Sequence, residues 1–294
     1  MRCPDQARRR TRGSGAAVLP HLLAAAPGLW LTAVFVAPLL VTVVMSFAHA
    51  GFGDVTLGFT IDNYRMALRG LYAQTFVQTV VLAVGCSALS VLLGMPIAYF
   101  IARHAGRLAG PLLAAILLPY FSSFLIRVLS WQVILASGGP VDVVLHSVGL
   151  LHAPLDLLGT RAAVVIGIVY GYLPIAVLPQ YVVFSRIPLS TTDAAADLGA
   201  GSWRRFTSVV LPLARPGVAT AALLTAVPML GELVVPQLLG GGRGLLLGQL
   251  VQTQYVQSQN YALGSAIAVL ILVAVGVLVA LLLRLTRGFD DAPQ

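Results

Sequence analysis

Between two long apolar segments the chain reads Ser190-Thr191-Thr192-Asp193-Ala194-Ala195-Ala196-Asp197-Leu198-Gly199-Ala200-Gly201-Ser202-Trp203-Arg204-Arg205-Phe206. Ser190 followed three residues later by Asp193 is typical of a capping box and predicts the start of a short helix. Gly199 can take the left-handed conformation that ends this helix. Ser202 can cap a second helix that begins one residue later and runs until Pro212. The sequence therefore predicts two short helices joined by a glycine turn, and we call residues 190–206 the knob.

The composition of the whole chain indicates the environment of these helices. Of the 294 residues, 58% are hydrophobic and 10% are charged, and the mean hydropathy is +0.91. A soluble domain has about 45–50% apolar and about 25% charged residues. So few charges exclude a disordered chain, and they are too few to bind the phosphates of a nucleic acid. The composition predicts a polytopic membrane protein in contact with membrane lipid.

Six segments are long and apolar enough to cross a membrane, since about 20 residues span about 30 Å of hydrocarbon. The first follows an Arg-rich start but is too long for the apolar region of a signal peptide, so we expect an uncleaved anchor. The third carries Ser122, Ser123 and Arg127, and the fifth is interrupted by Pro228 and Glu232. We predict an all-α polytopic membrane protein with six transmembrane helices, at 23–47, 77–101, 109–131, 162–183, 216–238 and 262–284.

The distribution of arginine predicts the orientation of these helices. All 18 basic residues are Arg, and with a cytoplasmic N-terminus 13 of them fall in cytoplasmic segments and five elsewhere. Basic residues favour the cytoplasmic side, so both termini are predicted to be cytoplasmic. The outer connections, 49–76, 132–161 and 239–261, are too short for an independent core. The expected organisation is a basic tail at 1–22, a transmembrane domain at 23–285 and a C-terminal tail at 286–294.

The residue types that are scarce in this sequence exclude several kinds of chemistry. The chain has no Lys, so it lacks the Walker A lysine of a nucleotide-hydrolysing P-loop. The two cysteines, Cys3 and Cys86, and the five histidines have no spacing that predicts a disulfide framework or a metal site. We therefore expect no catalytic residues, no metal and no cofactor bound by this chain.

Two connections on the outer side have local patterns of their own. Residues 59–64 read as a capped turn that leads into a short surface helix. Gly138-Gly139-Pro140 predicts a turn, followed by a short amphipathic helix at 141–149. The glycine-rich segment 240–244 lacks a following Lys, so it is not a phosphate-binding loop.

The residues of the knob allow two interpretations. From physical chemistry alone, it is either a shaped cytoplasmic projection or an interfacial helix anchored by Trp203 and Phe206. The order Asp193-Ala194-Ala195, three residues, Gly199, nine residues, Val209, one residue, Leu211-Pro212 resembles the EAA loop of ABC-importer permeases. Here Asp stands in place of the usual leading Glu.

This resemblance implies the type I ABC-importer permease fold, with its core at about 73–285 and a coupling loop at about 184–215. In that family the loop docks into a separate ATPase subunit, which uses ATP and Mg. It further implies that Asp193 anchors the loop through backbone N–H caps and a partner contact. Gly199 would supply the turn, and residues 203–206 the docking face. The coupling residues would be Asp193, Ala194, Ala195, Gly199, Trp203, Arg204, Arg205, Phe206, Leu211 and Pro212.

Other stretches are similar to the first permease subunit of spermidine/putrescine transporters. They are 59–64, Leu118-Pro119 through Leu125-Ile126-Arg127 to Trp131 with Gly138-Gly139, and 231–241 followed by Gly248-Gln249. The resemblance implies a multi-pass protein of the bacterial inner membrane. Its partners would be a second permease subunit in a heterodimer, two ATPase subunits and a periplasmic substrate-binding protein. The implied substrate is a polyamine, and relatives for thiamine, ferric iron or phosphonates share parts of these motifs.

Two other classes of membrane protein explain less of the sequence. A secondary transporter would show inverted halves with paired broken helices, and spans one to three do not resemble spans four to six. A membrane enzyme would need clustered His or acidic residues at one interface, which the sequence lacks.

Glu232 is the only glutamate in the chain and lies within a predicted span. Ionisable groups in the membrane usually face a cavity or a partner. One interpretation makes Glu232 an anionic contact for a cationic substrate, helped by cation–π contacts with aromatic residues. The alternative is a fixed ion pair with Arg127. The glycine-rich and proline-broken backbone at 228–241 also marks a gate region. The candidate pathway or gate residues are Tyr120, Arg127, Trp131, Tyr170, Tyr172, Glu232 and Gln237.

Overall fold

The computed structural model describes residues 15–50, 55–56, 58–149, 157–241 and 246–287, and for 15–26, 50, 55 and 285–287 it describes the backbone alone. The predicted tails and most of segment 240–244 lie outside these residues. The helices are α1 Gly15–Ser46, α2 Asp62–Ala67, α3 Gly70–His104, α4 Ala109–Leu117, α5 Phe124–Leu135, α6 Pro140–Ser147, α7 Arg161–Arg186, α8 Leu189–Asp197, α9 Ser202–Arg205, α10 Leu211–Leu230, α11 Val234–Leu239, α12 Leu247–Gln252 and α13 Tyr261–Arg287. Short 3₁₀ turns cover Gly106–Leu108 and Leu118–Phe121, and π turns cover Phe206–Val210 and Thr253–Gln257. Strands β1 (His49–Ala50) and β2 (Val55–Thr56) pair antiparallel.

Six helical stretches are long and apolar enough to cross a membrane, which confirms the predicted number of spans. Apart from the two-residue strands, the described chain is helical, as the sequence predicts. The first span, α1, contacts α13 and exposes the rest of its surface, as a helix surrounded by lipid does. The six stretches are Pro27–Ser46, Gly70–His104, Phe124–Ser147, Arg161–Arg186, Ser202–Leu230 and Tyr261–Arg284. Phe124–Ser147 consists of α5 and α6 with a turn between them.

The third predicted span, 109–131, is wrong as one continuous helix. The chain forms an apolar helical stretch at Gly106–Phe121, breaks at Ser122 and Ser123, and resumes as α5. Both serines have extended backbone, with ψ of 162° and 127°. The N–H and Oγ of Ser122 both donate to the carbonyl oxygen of Pro119, at 3.3 and 2.6 Å, so the last turn is tightened and the α-helix ends.

The sequence predicts that the second helix of the knob ends at Pro212, and this prediction is wrong. The helix continues through the π turn into α10, so one helical stretch runs from Ser202 to Leu230. In a regular α-helix the ring of Pro212 would clash with the carbonyl of Ser208, four residues earlier. The wider turn directly before the proline relieves this clash, and the helix passes through.

Helices α3, α7 and α10 form the centre of the bundle and contact one another along their lengths. Near the knob, their buried core includes Ala98, Val177, Phe184 and Ala214. The helices come close where a residue has no side chain. A Cβ built on Gly217 of α10 would lie 2.8 Å from Cβ of Val183 and 2.9 Å from the carbonyl oxygen of Pro179, both on α7.

The end of the bundle away from the knob is closed by the connection between α11 and α13. Leu247 and Leu250 of α12 are buried against Leu263 and Ile267 of α13. The backbone N–H of Leu247 donates to Oγ1 of Thr79 on α3, at 3.0 Å. This anchors the connection to the spans.

The predicted short helices of the connections are present. Residues 59–64 lead into α2, as predicted, but no side chain caps this helix, whose N-cap is Ile61. Oγ1 of Thr60 accepts the N–H of Asp62 at 3.2 Å in the turn before it. The turn at Gly138–Gly139 leads into α6, and Gly138 has a φ of 74°.

Candidate functional site

The knob has the two predicted helices, α8 and α9, but neither begins with the predicted cap. Helix α8 begins at Leu189 after Pro188, one residue before Ser190, and no side chain caps it. Proline disfavours helical backbone at the preceding residue. Accordingly Ile187 is extended (φ −69°, ψ 122°), which ends α7 and restarts the chain at α8. The capping-box prediction is therefore wrong by two residues, since the N-cap is Pro188 and not Ser190. Asp193 lies in the second turn of α8, too far along for its carboxylate to cap the first N–H groups.

The turn between the helices is as predicted. Gly199 has a φ of 80°, its N–H donates to the carbonyl of Ala196, and the N–H of Ala200 donates to the carbonyl of Ala195 at 3.0 Å. A residue with a Cβ is disfavoured in this conformation. Ser202 is the first residue of α9 rather than its cap, and its Oγ accepts a hydrogen bond of 3.1 Å from Nη2 of Arg205.

The predicted docking face of the knob divides into exposed and inward-facing residues. Trp203 is 78% exposed, and Leu198, beside the glycine turn, is 89% exposed. Arg204 and Asp193 are also exposed. Phe206 instead faces the bundle. Its ring packs at 5.1 Å, edge to face, on Tyr99 of α3, so it fixes the knob to the spans rather than presenting a surface.

Ala194, Ala195, Leu211 and Pro212 complete the predicted coupling residues. Ala194 is exposed, whereas the other three are half-buried. Leu211 and Pro212 form the first turn of α10, directly after the π turn. They therefore belong to the span, and they join it to the knob through continuous helix.

Glu232 lies at the break that ends α10, and its carboxylate is nearly buried, at 6% exposure. Its Oε1 accepts the N–H groups of Leu233, Val234 and Val235, at 3.2, 3.0 and 3.3 Å. Its Oε2 accepts the hydroxyl of Tyr172 on α7 at 2.8 Å. The first N–H groups of a helix lack partners within the helix. Glu232 therefore stabilises the start of α11 and attaches it to α7.

The predicted ion pair between Arg127 and Glu232 is wrong. Among the described residues, ion pairs with a nitrogen–oxygen distance of 4.0 Å or less do not include one between Arg127 and Glu232. Nη1 of Arg127 donates to the carbonyl of Pro119 at 3.2 Å, and its guanidinium carbon lies 5.3 Å from the ring centre of Tyr120 and 5.6 Å from that of Phe124. Its Nε is buried without a partner. Each charge is therefore stabilised by separate partners. Backbone N–H groups stabilise Glu232, whereas a carbonyl oxygen and two aromatic rings stabilise Arg127.

Two small cavities meet at Arg127 and bring most of the candidate pathway residues together. The first, of about 290 Å³, is lined by Tyr120, Arg127, Tyr172 and Glu232 among others. The second, of about 270 Å³, is lined by Arg127, Trp131 and Tyr170, whose rings pack edge to face at 5.1 Å.

Gln237 is the exception among the candidate pathway residues. It is exposed on α11 and lines neither cavity.

Sequence reasoning missed the contribution of α3 to the knob. Tyr99 and Arg103 lie four residues apart on one face of α3 and line a cleft against the knob. Tyr99 and Arg103, an aromatic and a basic residue near the end of a span, could have indicated this contact. The sequence analysis used only the charge of Arg103, in the prediction of orientation. Within the part of the chain that the structure describes, no three His, Cys, Asp or Glu side chains are grouped as metal ligands.

Known proteins resemble this chain over most of its length. Residues 94–292 match the family described as binding-protein-dependent transport system inner membrane component. The chain is 31% identical over 259 residues to the spermidine/putrescine transport system permease protein PotB of Haemophilus influenzae, covering 88% of this chain and 91% of that one. It is 34% identical over 163 residues to the molybdenum transport system permease protein ModB of Azotobacter vinelandii, covering 55% of this chain and 70% of that one.

The fold has relatives among solved structures. A chain of a bacterial alginate ABC transporter, solved with its periplasmic protein, superposes with a TM-score of 0.70 at 18% identity. The match covers 94% of this chain and 96% of that one. At this identity the likeness concerns the fold alone.

Proposed function

This chain belongs to the family of binding-protein-dependent transport system inner membrane components, and we propose that it carries polyamines of the spermidine/putrescine kind. Membership makes it a multi-pass permease subunit of an ABC importer. The observation that supports the substrate is the extent of the similarity to PotB, which covers about nine-tenths of both chains. Similarity of that extent reaches far beyond the coupling loop at about 184–215, which is only a small part of the chain.

The aromatic rings of the two cavities support a cationic substrate. Tyr120, Trp131 and Tyr170 line them, and ring faces attract ammonium and guanidinium groups. One cation, the guanidinium of Arg127, already lies against the rings of Tyr120 and Phe124. An ammonium group of a polyamine would bind the pair Trp131 and Tyr170 in the same manner.

The proposed assembly has two permease chains, of which this is one in a heterodimer, two ATPase subunits and a periplasmic substrate-binding protein. The knob, with the turn at Gly199 and the exposed Trp203, would dock on one ATPase. ATP and Mg would act in that partner, whereas this chain would bind no cofactor. Both termini and the knob would lie in the cytoplasm, as the arginine distribution predicts.

Helix continuity supports a route for the coupling. The helical stretch Ser202–Leu230 joins the knob to the break at Glu232, so a displacement of the knob would move the cavity end of the same helix. Phe206, packed on Tyr99, would transmit the displacement to α3 as well. Motion of rigid helices between two arrangements is a known mode of such transitions.

A small oxyanion is the second candidate substrate. Nε of Arg127 is buried and has no partner among the described residues, so it could bind an anion. The carboxylate of Glu232 already accepts hydrogen bonds from the start of α11 and from Tyr172. The similarity to the molybdenum permease, over 55% of this chain, points the same way. It covers less of the chain than the similarity to PotB, so we place polyamines first.

Uptake into proteoliposomes tests the proposal. The chain is reconstituted with its cognate second permease, ATPase and binding protein, and ATP-dependent accumulation of labelled spermidine and of labelled molybdate is measured. We expect spermidine uptake that unlabelled putrescine competes. Molybdate uptake without spermidine uptake would overturn the polyamine assignment and leave the family unchanged.

A further inference from the structure

A cleft of about 620 Å³ separates the end of α3 from the knob. It lies among helices that the bundle core holds in place, because Phe206 packs on both Tyr99 and Phe184 at its base. Its polar and aromatic lining comes from two parts of the chain that are about 100 residues apart. These lining residues include Tyr99, Arg103 and His104 from α3, and Thr192, Trp203 and Arg205 from the knob.

The two arginines of the cleft have hydrogen-bond donors without acceptors. Nε and Nη2 of Arg103, and Nε of Arg205, are buried and have no partner among the residues that the structure describes. Buried polar groups almost always have a partner, since an unpaired donor loses its hydration without compensation. Three such donors on two residues lining one cleft point to an acceptor that lies outside the described residues.

The chain's own acidic residues near the cleft do not supply that acceptor. Asp193 and Asp197, on α8, are exposed and do not line the cleft. No Asp or Glu is among the lining residues, whereas two arginines and a histidine are. The cleft is therefore complementary to an anion, and the planar guanidinium groups are suited to a carboxylate or a phosphate.

The rim of the cleft favours a protein as the source of the anion. Leu189 and Trp203, both lining residues, are 63% and 78% exposed, and Leu198 beside the glycine turn is 89% exposed. Tryptophan and arginine are enriched at protein interfaces and among the residues that contribute most of the binding energy. We propose that the cleft binds an Asp or Glu side chain of the ATPase subunit, held between Arg103 and Arg205. The inference rests on the proposed function, since it takes the ATPase as the partner of the knob.

This contact gives α3 a direct part in the coupling. Arg103 is in the last turn of the span that packs along α7 and α10. A carboxylate bound by Arg103 and Arg205 together would move the end of α3 and the knob as one unit. The ATPase would then act on two spans of the bundle, not only on the loop.

The test compares Arg103→Gln with Arg107→Gln. Both changes remove one positive charge near the end of α3, but Arg107 is exposed and does not line the cleft. The full permease pair is placed in phosphatidylcholine nanodiscs, and the dissociation constant of the cognate ATPase is measured. We expect Arg103→Gln to weaken binding about tenfold or more, because the partner's buried carboxylate loses one of its two arginines. Arg107→Gln should change it less than about twofold.

Charge reversal identifies the partner residue. Arg103→Glu should abolish binding, and one Asp→Arg or Glu→Arg substitution on the ATPase surface should restore it within about threefold of wild type, since rim charges alone contribute little. The thermal unfolding temperature of each purified permease pair is measured beside binding. An Arg103→Gln pair that unfolds like wild type has kept its fold, so its weaker binding reflects the cleft.

Three outcomes would overturn the inference. Equal binding of the Arg103→Gln and Arg107→Gln pairs would show that the cleft takes no ATPase carboxylate. A loss seen only in nanodiscs that contain phosphatidylglycerol would assign the cleft to a lipid phosphate. A loss that disappears when the chain is shortened to end at Arg287 would assign it to this chain's own Asp290 or Asp291. Failure of the wild-type pair to bind any ATPase would instead count against the proposed function.

Discussion

The hydroxyl of Tyr172 donates a hydrogen bond of 2.8 Å to Oε2 of Glu232, 60 positions along the chain. This bond joins the middle of α7 to the break at the end of α10, while Oε1 of the same carboxylate holds the first N–H groups of α11. The only glutamate of the chain thus stabilises the backbone of the predicted gate region. It lines one cavity together with Arg127 but does not pair with it.

Replacing Glu232 by Ala should destabilise the permease pair, because three N–H groups and the Tyr172 hydroxyl lose their acceptor. Loss of a helix cap costs about 0.5–2 kcal/mol, and buried unpaired donors add to that cost. The measurement is the unfolding temperature and the yield of the assembled pair. Gln237→Ala, at an exposed position of α11, is the control and should behave like wild type.

Glu232→Gln should be milder than Glu232→Ala, because an amide oxygen still accepts the N–H groups. Adding Arg127→Leu should not improve assembly of the Glu232→Gln variant, since the two residues are not paired. Assembly yield of the double variant against each single variant measures this. A higher assembly yield for the double variant than for Glu232→Gln would instead support an ion pair between Arg127 and Glu232, against the structure.

Arg127→Gln should change transport according to the charge of the substrate. The guanidinium lines both cavities, and two like charges about 7 Å apart repel by about 2 kcal/mol at an effective dielectric constant near 20. For a polyamine, we expect the KM of ATP-driven uptake to fall by about twofold or more. For an oxyanion the KM should rise, so the direction of the change separates the two substrate classes.

Gly199→Val should weaken ATPase binding while the chain still inserts in the membrane. The φ of 80° is costly for a residue with a Cβ, by about 1–2 kcal/mol, although a Cβ there would meet no atom within 4 Å. Gly201→Val is the matched control. Gly201 has an ordinary extended backbone (φ −64°, ψ 163°) and equally open surroundings. Equal ATPase affinity for the two variants would remove the glycine turn from the coupling.

Gly217→Ala should separate α10 from α7 and lower the thermal stability of the pair. The new methyl group would lie under 3 Å from Val183 and from the carbonyl of Pro179, and overpacking of this kind costs about 1–3 kcal/mol. Gly276→Ala in α13 is the control, since a Cβ there meets nothing within 4 Å and alanine favours helix. A Gly217→Ala pair that unfolds at the temperature of the Gly276→Ala pair would contradict the close contact.

The sequence by itself determined the features that depend on near neighbours along the chain. The six apolar segments are long enough to cross a membrane, and such segments form helices, because backbone N–H and C=O groups in lipid need partners within the segment. The turn at Gly199 was predictable for a similar reason, since the conformation belongs to one residue and its two neighbours. The start of α8 after Pro188, in contrast, depended on how α7 ends, and the local pattern at Ser190 and Asp193 predicted it two residues late.

Only the tertiary structure decided how the polar groups inside the membrane are paired. Arg127 and Glu232 suggested an ion pair in the sequence, because they are opposite charges at similar depth, near the outer ends of the third and fifth predicted spans. Two helix breaks freed closer partners, the carbonyl of Pro119 for Arg127 and the N–H groups after the α10 break for Glu232. A buried charge takes the partner that is within hydrogen-bond distance, and that distance is set by the packing of α5, α7 and α11 rather than by position along the chain.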